Sequence, residues 1–301
     1  MTLPAQSLCF ECEGAPLVGI HHPAEGTAEC GIVIVVGGGP QYRAGGHRQL
    51  VLWSRRFAEE GYPVLRFDYR GMGDSHGDFS GFEDVDQDIR AAIDALMRVS
   101  PTVKRVILWG ECDAASAILF YAHHDPRVIG AALLNPWART EEGQAQTVLK
   151  HYYLSRLMQR SFWLKLLRLR FNPFKSLASL ASMIALSRRQ QSGPSATLST
   201  DTLETLPDSA TLPDRMFHGL TRFQGPIMLV MSGRDNIARE FDELLGSSHK
   251  WEEALSSKPT TRFDLPEADH TFSTRLWRDQ VVNWGLQWLR DLPTNVGERS
   301  A

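Results

Sequence analysis

The sequence predicts an α/β fold in which a mostly parallel sheet is flanked by helices and a helical cap is inserted between two strands. From residue 31 onward, short β-rich runs alternate with amphipathic stretches, the pattern of a parallel sheet covered by crossover helices. Several of these runs are continuously apolar, as strands buried on both faces must be. One connection, from near Asn135 to near Gly225, spans about ninety residues, far beyond the usual ~4–6 of a loop, so it carries structure of its own.

The segments before residue 30 suggest a leading antiparallel hairpin. The predicted strands are GIVIVVGG (31–38), YPVLRFD (62–68), KRVILWG (104–110), RVIGAALLN (127–135), GPIMLVMSG (225–233) and TTRFDLP (260–266). Between them HRQLVLWSRRFAEEGY, FEDVDQDIRAAIDALMRVS and TRLWRDQVVNWGLQWLRDL repeat apolar residues at helical spacing. Within the long connection, TVLKHYYLSRLMQRSFWLKLLRLRF reads as helix and QQSGPSATLSTDTLETLPDSATLP as a loosely ordered return. The expected organisation is a core domain of residues 1–137 and 223–301, with residues 138–222 as the cap.

With 301 residues, 43% of them hydrophobic, the chain can bury a sizeable core without disulfides or metals. A formal net charge of −3 spread over both signs gives no global field for nucleic acid, so no nucleic-acid partner is expected. The start MTLPAQSLCFECEG lacks the basic and apolar regions of a signal peptide, and no run reaches the ~20 apolar residues of a membrane span. The expected location is therefore the cytoplasm, with reduced thiols. Cys9 and Cys12 form a lone C-x-x-C with neither a second pair nor nearby histidines, which reads as two small strand residues rather than a zinc site. No metal and no cofactor are expected.

The sharpest chemical signal is Gly110-Glu111-Cys112-Asp113-Ala114, between the strand KRVILW and the helical run AASAILFYAHH. A nucleophile on a tight strand-to-helix turn needs small residues two before and two after it, because the strained backbone crowds its neighbours. Gly110 and Ala114 meet that need. The turn also places Cys112 at a helix N-terminus, where the dipole and free N–H groups favour thiolate over thiol.

A sulfur nucleophile requires a base and an orienting acid, in the chain order nucleophile, acid, histidine. Asp235, in Ser232-Gly233-Arg234-Asp235, and His270, in Ala268-Asp269-His270-Thr271-Phe272, both lie just past strand ends. Carboxyl ends of strands converge in such sheets. Asp269 is a rival for the acid role, but a sequence neighbour rarely reaches the far ring nitrogen. His21, His22, His123 and His124 read as solvated or structural. For the oxyanion, the backbone N–H of Asp113 supplies one donor and that of Gly39, in Gly37-Gly38-Gly39-Pro40, the second, because Pro40 has none. Glu111 stands beside the nucleophile as a modulator of the site. Its charge would oppose a thiolate unless Arg43, Arg66 or Arg70 neutralised it, and a structural ion pair reads as readily as a catalytic role. In Asp68-Tyr69-Arg70-Gly71-Met72-Gly73-Asp74-Ser75 the Asp and Arg read as an ion pair or backbone clamp.

Taken in order, GGGP, DYRGMGDS, GECDAA, SGRD and ADHTF resemble the α/β-hydrolase superfamily over nearly the whole chain. The fuller pattern, VVGGGPQYRAGGHRQ with GECDAASAILFYA, resembles the exosortase A system-associated hydrolases of the first type. That resemblance implies the α/β-hydrolase fold and a bacterial cytoplasmic hydrolase encoded beside exopolysaccharide and protein-sorting machinery. It maps nucleophile, acid and histidine onto Cys112, Asp235 and His270. Two departures stand out: cysteine replaces the common serine, and the oxyanion loop lacks the usual histidine before its glycine.

The expected activity is hydrolysis of an ester, thioester or activated amide, with a small-molecule acyl substrate passing through an acyl-cysteine. The alternatives are an acyltransferase to a sugar or amine acceptor and a non-catalytic binding partner with a hydrolase fold. Residues 143–200 contain no Asp or Glu and nine basic residues: Lys150, Arg156, Arg160, Lys165, Arg168, Arg170, Lys175, Arg188 and Arg189. The favoured reading is a lid whose apolar face covers the site and whose basic face is solvated. The alternative is peripheral contact of that face with an anionic membrane or an anionic lipid-linked substrate.

Overall fold

The computed structural model describes residues 3–37, 42–138 and 210–292. The chain divides into two units, 1–138 with 211–301, and 139–210.

Eight strands make one sheet: β1 (Gln6–Cys12), β2 (Ala15–His22), β3 (Cys30–Val35), β4 (Val64–Phe67), β5 (Arg105–Glu111), β6 (Val128–Leu134), β7 (Ile227–Ser232) and β8 (Thr260–Leu265). They lie in the order β1-β2-β4-β3-β5-β6-β7-β8. The β1–β2 and β2–β4 pairs are antiparallel and the rest parallel. This is the expected hairpin leading into a parallel sheet. Seven helices accompany the strands among the described residues: α1 (Gln49–Glu59), α2 (Asp86–Val99), α3 (Asp113–Tyr121), α4 (Leu212–Arg222), α5 (Asn236–Ser247), α6 (His249–Ser256) and α7 (Arg275–Asp291).

Alternation of side chains across each strand divides the apolar runs between two cores. Val33, Val35, Val106, Leu108, Ala131, Leu133, Ile227 and Leu229 face the layer that contains Ile89, Ile93, Ile118 and Met216. Ile32, Ile34, Ile107, Trp109, Ala132, Leu134, Met228 and Val230 face the opposite layer, with Trp53 and Phe57 of α1 and Val281, Leu286 and Trp288 of α7. Both faces are covered, so the central strands read as unbroken apolar runs. Trp109 sits edge-on to Trp53 and Phe57, with ring centroids 5.7 and 4.9 Å away. Its six-membered ring lies so close to Gly285 that a Cβ there would fall 2.7 Å from it.

The boundary at the second end of the long insertion differs from the expected one. Helix α4, placed in the cap on sequence grounds, belongs to the main unit and packs on α3. Thr211 and Asp214 form a capping box, the Thr hydroxyl accepting from the Asp214 N–H and the Asp carboxylate from the Thr211 N–H. Met216 and Leu220 are buried in the core. The helix-start signal Thr-Leu-Pro-Asp thus marks where the chain returns to the main unit. The basic residues of 143–200 lie outside the described residues.

The close approach of α4 to α3 yields a test. A Cβ on Gly219 would sit 1.8 Å from the backbone oxygen of Leu119, so only glycine lets the two helices meet. Gly219→Ala is expected to lower stability by roughly 1–3 kcal/mol, the usual result of overpacking, read as an earlier midpoint in urea unfolding. An unchanged midpoint would show that α4 docks elsewhere.

Candidate active site

Strand β5 ends at Glu111 and α3 begins at Asp113, so Cys112 alone makes the turn between them. Its backbone lies at φ 62°, ψ −128°, a region that L-residues enter only when their surroundings force them. Three hydrogen bonds hold it there. Its N–H donates to Leu134 O (2.9 Å), and its carbonyl accepts from the N–H groups of Ala115 and Trp137 (both 3.1 Å). The crowding expected of the turn is present: a Cβ on Gly110 would lie 2.7 Å from Ile118 Cδ1 and 2.9 Å from the carbonyl carbon of Ala114. Ala114 is itself fully buried.

The structure brings His270 and Asp235 to this turn. The His270 Nδ1 and Asp235 Oδ2 atoms are 2.7 Å apart. A carboxylate only accepts, so the ring donates its Nδ1–H and Nε2 is left for the sulfur. Asp235 caps α5, accepting from the N–H groups of Ile237 (3.0 Å) and Ala238 (3.1 Å), and is nearly buried. A carboxylate fixed by two backbone donors cannot swing away from the imidazole. His270 in turn hydrogen-bonds Cys112.

Asp269, the rival acid, is engaged within its own loop. It accepts from the backbone N–H of Ser273 (2.9 Å) and from the Ser273 hydroxyl. Burial acts to raise its pKa, but those hydrogen bonds outweigh it and hold the carboxyl below its ordinary value.

The electrostatics correct one expectation. Burial pushes the Cys112 thiol up from its ordinary value of 9.0, against hydrogen bonds from His270 and from the Asp113 backbone that pull it down. The helix N-terminus does not outweigh the loss of water, so the balance at Cys112 favours the thiol over the thiolate. Burial alone would lower His270, yet Asp235 and an ionised Cys112 raise it. The imidazole therefore gains affinity for a proton as the sulfur gives one up, which suits a transfer from Sγ to Nε2 as the sulfur bonds to carbon.

Glu111 departs from expectation as well. None of the three arginines suggested for it serves. Arg43 pairs with Asp68 and Asp74, Arg70 with Asp88 and Glu13, and Arg66 donates to His22 (3.1 Å) and to the Arg43 carbonyl (2.8 Å). The Asp68 segment is thus both ion pair and clamp, but Asp68 is held by Arg43 instead of Arg70, and also accepts the Arg43 backbone N–H at 2.6 Å. The described partner of Glu111 is Gln49 of α1, whose amide donates to Oε2. Its other oxygen, Oε1, is buried without a hydrogen-bond partner among the described residues, as is Gln49 Oε1. Burial raises the Glu111 carboxyl to about 8, with His270 and Gln49 opposing and Asp235 and Asp269 adding to the rise. A protonated Glu111 removes the objection that its charge would repel a developing thiolate.

Of the two oxyanion donors expected from the sequence, Asp113 directly follows Cys112 at the start of α3, whereas Gly39 lies outside the described residues. The loop leading to it enters next to the turn: a Cβ on Gly37 would lie 3.1 Å from the Glu111 carbonyl oxygen and 3.9 Å from Cys112 Cβ. His21 and His22 are buried, His21 Nε2 lying 3.0 Å from Ser100 Oγ. Cys9 is exposed and Cys12 buried, and all four cysteines are free. Among the described residues no group of three or more His, Cys, Asp or Glu could hold a metal ion, and no helix is long and apolar enough to cross a membrane. Three residues near the site escaped sequence reasoning: Gln49, Asn135 and Ser232. For the last two a signal existed, a small polar residue ending an otherwise apolar strand.

The raised Glu111 pKa has a consequence for stability. Between the unfolded value of 4.5 and about 8 the folded protein holds a proton that the unfolded chain releases. The contribution is complete below the unfolded pKa and is lost as pH rises through the folded one. Glu111→Gln is expected to flatten the decline of unfolding free energy between about pH 5 and 8 relative to the parent. Parallel pH profiles for the two proteins would show that Glu111 is ionised in the fold.

Comparison with known proteins identifies the family and the fold. The family model described as serine aminopeptidase, S33, matches residues 31–274. No curated protein sequence matches significantly. Among solved structures, an esterase of Pyrococcus furiosus is similar with a TM-score of 0.61 at 14% identity, over 96% of this chain and 93% of that one. The α/β hydrolase GrgF of a Penicillium species gives 0.58 at 18%, over 96% and 98%. An acylaminoacyl peptidase of Pyrococcus horikoshii gives 0.62 at 14%, over all of this chain but 43% of its own. At these identities the likeness concerns the fold. The eight-stranded, mostly parallel sheet and the family match over most of the chain place this protein in the α/β-hydrolase superfamily, as a member of the serine aminopeptidase S33 family with cysteine at the strand-to-helix turn.

Proposed function

We propose that this protein hydrolyses an ester, thioester or activated amide through Cys112, with His270 as base and Asp235 as orienting acid. The observation that carries the reading is the strained backbone at Cys112, which holds the sulfur against His270 while Asp235 fixes the ring from behind. Strain of roughly 1–3 kcal/mol persists at a residue only where the surroundings over-determine it, and such residues cluster at functional sites.

In the proposed reaction His270 Nε2 takes the thiol proton as Sγ bonds to the acyl carbon. The carbonyl π electrons move onto oxygen, where the Asp113 N–H and the expected Gly39 N–H meet them. The intermediate collapses, the bond to the leaving group breaks, and that group leaves with the proton from His270. Water then attacks the acyl-cysteine and gives a proton to His270. The C–S bond breaks, releasing the acid, and the proton returns to sulfur. Asp235 stays ionised throughout and keeps the imidazole in the tautomer that leaves Nε2 free. The physiological setting rests on the resemblance to exosortase A system-associated hydrolases, which points to the bacterial cytoplasm and to exopolysaccharide chemistry.

Incubation with p-nitrophenyl esters and acyl thioesters, followed by intact-protein mass spectrometry and peptide mapping, tests the reading. The acyl mass is expected on Cys112 and absent from Cys112→Ala. Labelling confined to Cys9, or none with any acyl donor, would overturn it. Asp235→Asn is expected to lower turnover by about 10³–10⁴-fold, because the imidazole loses its tautomer, while Asp269→Asn has a small effect. The reverse ranking would transfer the acid role to Asp269.

A further inference from the structure

Residues 134–137, the last of β6 and the three that follow it, touch both halves of the proposed catalytic pair. On one side they hold the nucleophile's backbone: Leu134 O accepts from Cys112 N–H (2.9 Å), and Trp137 N–H donates to the Cys112 carbonyl (3.1 Å). The Ser116 hydroxyl of α3 donates to Trp137 O (2.5 Å), tying the same segment to the first turn of that helix. On the other side lies Asn135. Its side-chain amide donates to the backbone carbonyl of His270 (2.8 Å) and to the Ser232 hydroxyl (2.9 Å), and its Oδ1 accepts the Ser232 N–H (2.8 Å). Ser232 Oγ then donates to the carbonyl of Asp269 (2.9 Å).

Both side chains are buried, Asn135 completely, and the Asn135 amide has a described partner for its oxygen and two for its nitrogen. Asn135 also has φ 45°, one of few residues other than glycine with a positive angle, while its own N–H donates to Val230 O (2.9 Å). Asparagine tolerates this backbone better than most residues. The same position needs a side chain that both donates twice and accepts once. Aspartate would place a second acceptor against the His270 carbonyl, and serine would be too short to span from β6 past β7.

We propose that Asn135, backed by Ser232, is a positioning residue that fixes His270 relative to Cys112. Resting on the hydrolase reading above, the inference deepens it by naming what sets the distance between base and nucleophile. Asp235 orients the ring through Nδ1, but that bond alone leaves the loop backbone free to carry the ring toward or away from sulfur. Asn135 and Ser232 pin the carbonyls of residues 269 and 270, and residues 134–137 reference them to Cys112 directly. A shift of about 1 Å at such a site can cost on the order of 10²-fold in rate, so this anchoring matters to chemistry more than to substrate affinity.

The test uses Asn135→Gly, which removes the amide yet accepts the positive φ, with Ser232→Ala and Ser232→Thr as a milder pair. Acylation of Cys112 by p-nitrophenyl acetate is followed alongside the NMR titration of the ¹⁵N-labelled His270 ring. Asn135→Gly is expected to slow acylation about 10–100-fold with apparent KM changed less than about threefold. The His270 pKa is expected to fall toward its ordinary 6.5 as the ring loosens from Asp235. Ser232→Ala should move both readouts in the same direction by less, and Ser232→Thr, which keeps the hydroxyl, should restore them. A folded Asn135→Gly protein that acylates at the parent rate would overturn the inference. So would a slow variant whose His270 titration is unmoved. If Asn135→Gly does not fold, the two Ser232 variants decide by the same readouts. A parent protein whose Cys112 never acquires an acyl group defeats the hydrolase reading instead, and the His270 titrations still decide whether Asn135 positions the ring.

Discussion

The backbone of Cys112 must pass from a buried parallel strand into a helix within one residue, and much of the surrounding structure follows from that turn. At φ 62° the residue sits in a region that disfavours a side chain with a Cβ, so neighbouring groups must supply the compensation. Its N–H and carbonyl are bound by Leu134, Ala115 and Trp137. Gly110 and Ala114 are small because any larger residue would collide with the first turn of α3. The turn also requires β6 to end beside β5, since its hydrogen bonds come from the residues that follow that strand. The nucleophile, the central strand order and the end of β6 are therefore coupled constraints.

Removal of water sets the electrostatics of the same place. Cys112, Glu111 and His270 are each moved from their ordinary values, and burial is the largest influence on all three. For the thiol and the carboxyl burial prevails and favours the neutral form. For the imidazole it is overcome by two partners of opposite charge tendency. The outcome is a site that stores its proton rather than one that displays a free anion, consistent with a base that acts during bond formation. Glu111 fits this scheme because Gln49 can hydrogen-bond a neutral carboxyl without the desolvated charge that an ion pair would demand.

Sequence reasoning located Cys112, Asp235 and His270 because each follows a recognisable strand, and the carboxyl ends of parallel strands share one edge of the sheet. It also separated Asp235 from Asp269 on the argument that a neighbour cannot reach the far nitrogen, and the hydrogen bonds of both residues agree with that separation. It misjudged two matters that depend on depth. A helix N-terminus favours a thiolate only as far as solvent and burial allow, and sequence does not report how much water the turn loses. An arginine such as Arg43, Arg66 or Arg70 was the natural counter-ion for Glu111, yet Arg43 is drawn to Asp68 and Asp74 and Arg70 to Asp88.

The sequence by itself determined the class of fold, the order of its strands along the chain, the strand-to-helix turn at Cys112 and the strand ends that carry Asp235 and His270, because each rests on local spacing and on apolar periodicity. Only the tertiary structure decided that α4 belongs to the main unit, that Glu111 pairs with an amide, and that Asn135 ties the end of β6 to the His270 loop. These contacts join residues separated by 62 positions for Gln49 and Glu111 and by 135 for Asn135 and His270. No periodicity encodes such pairings. They arise when strands distant in sequence become neighbours in the sheet and their buried polar groups must find partners.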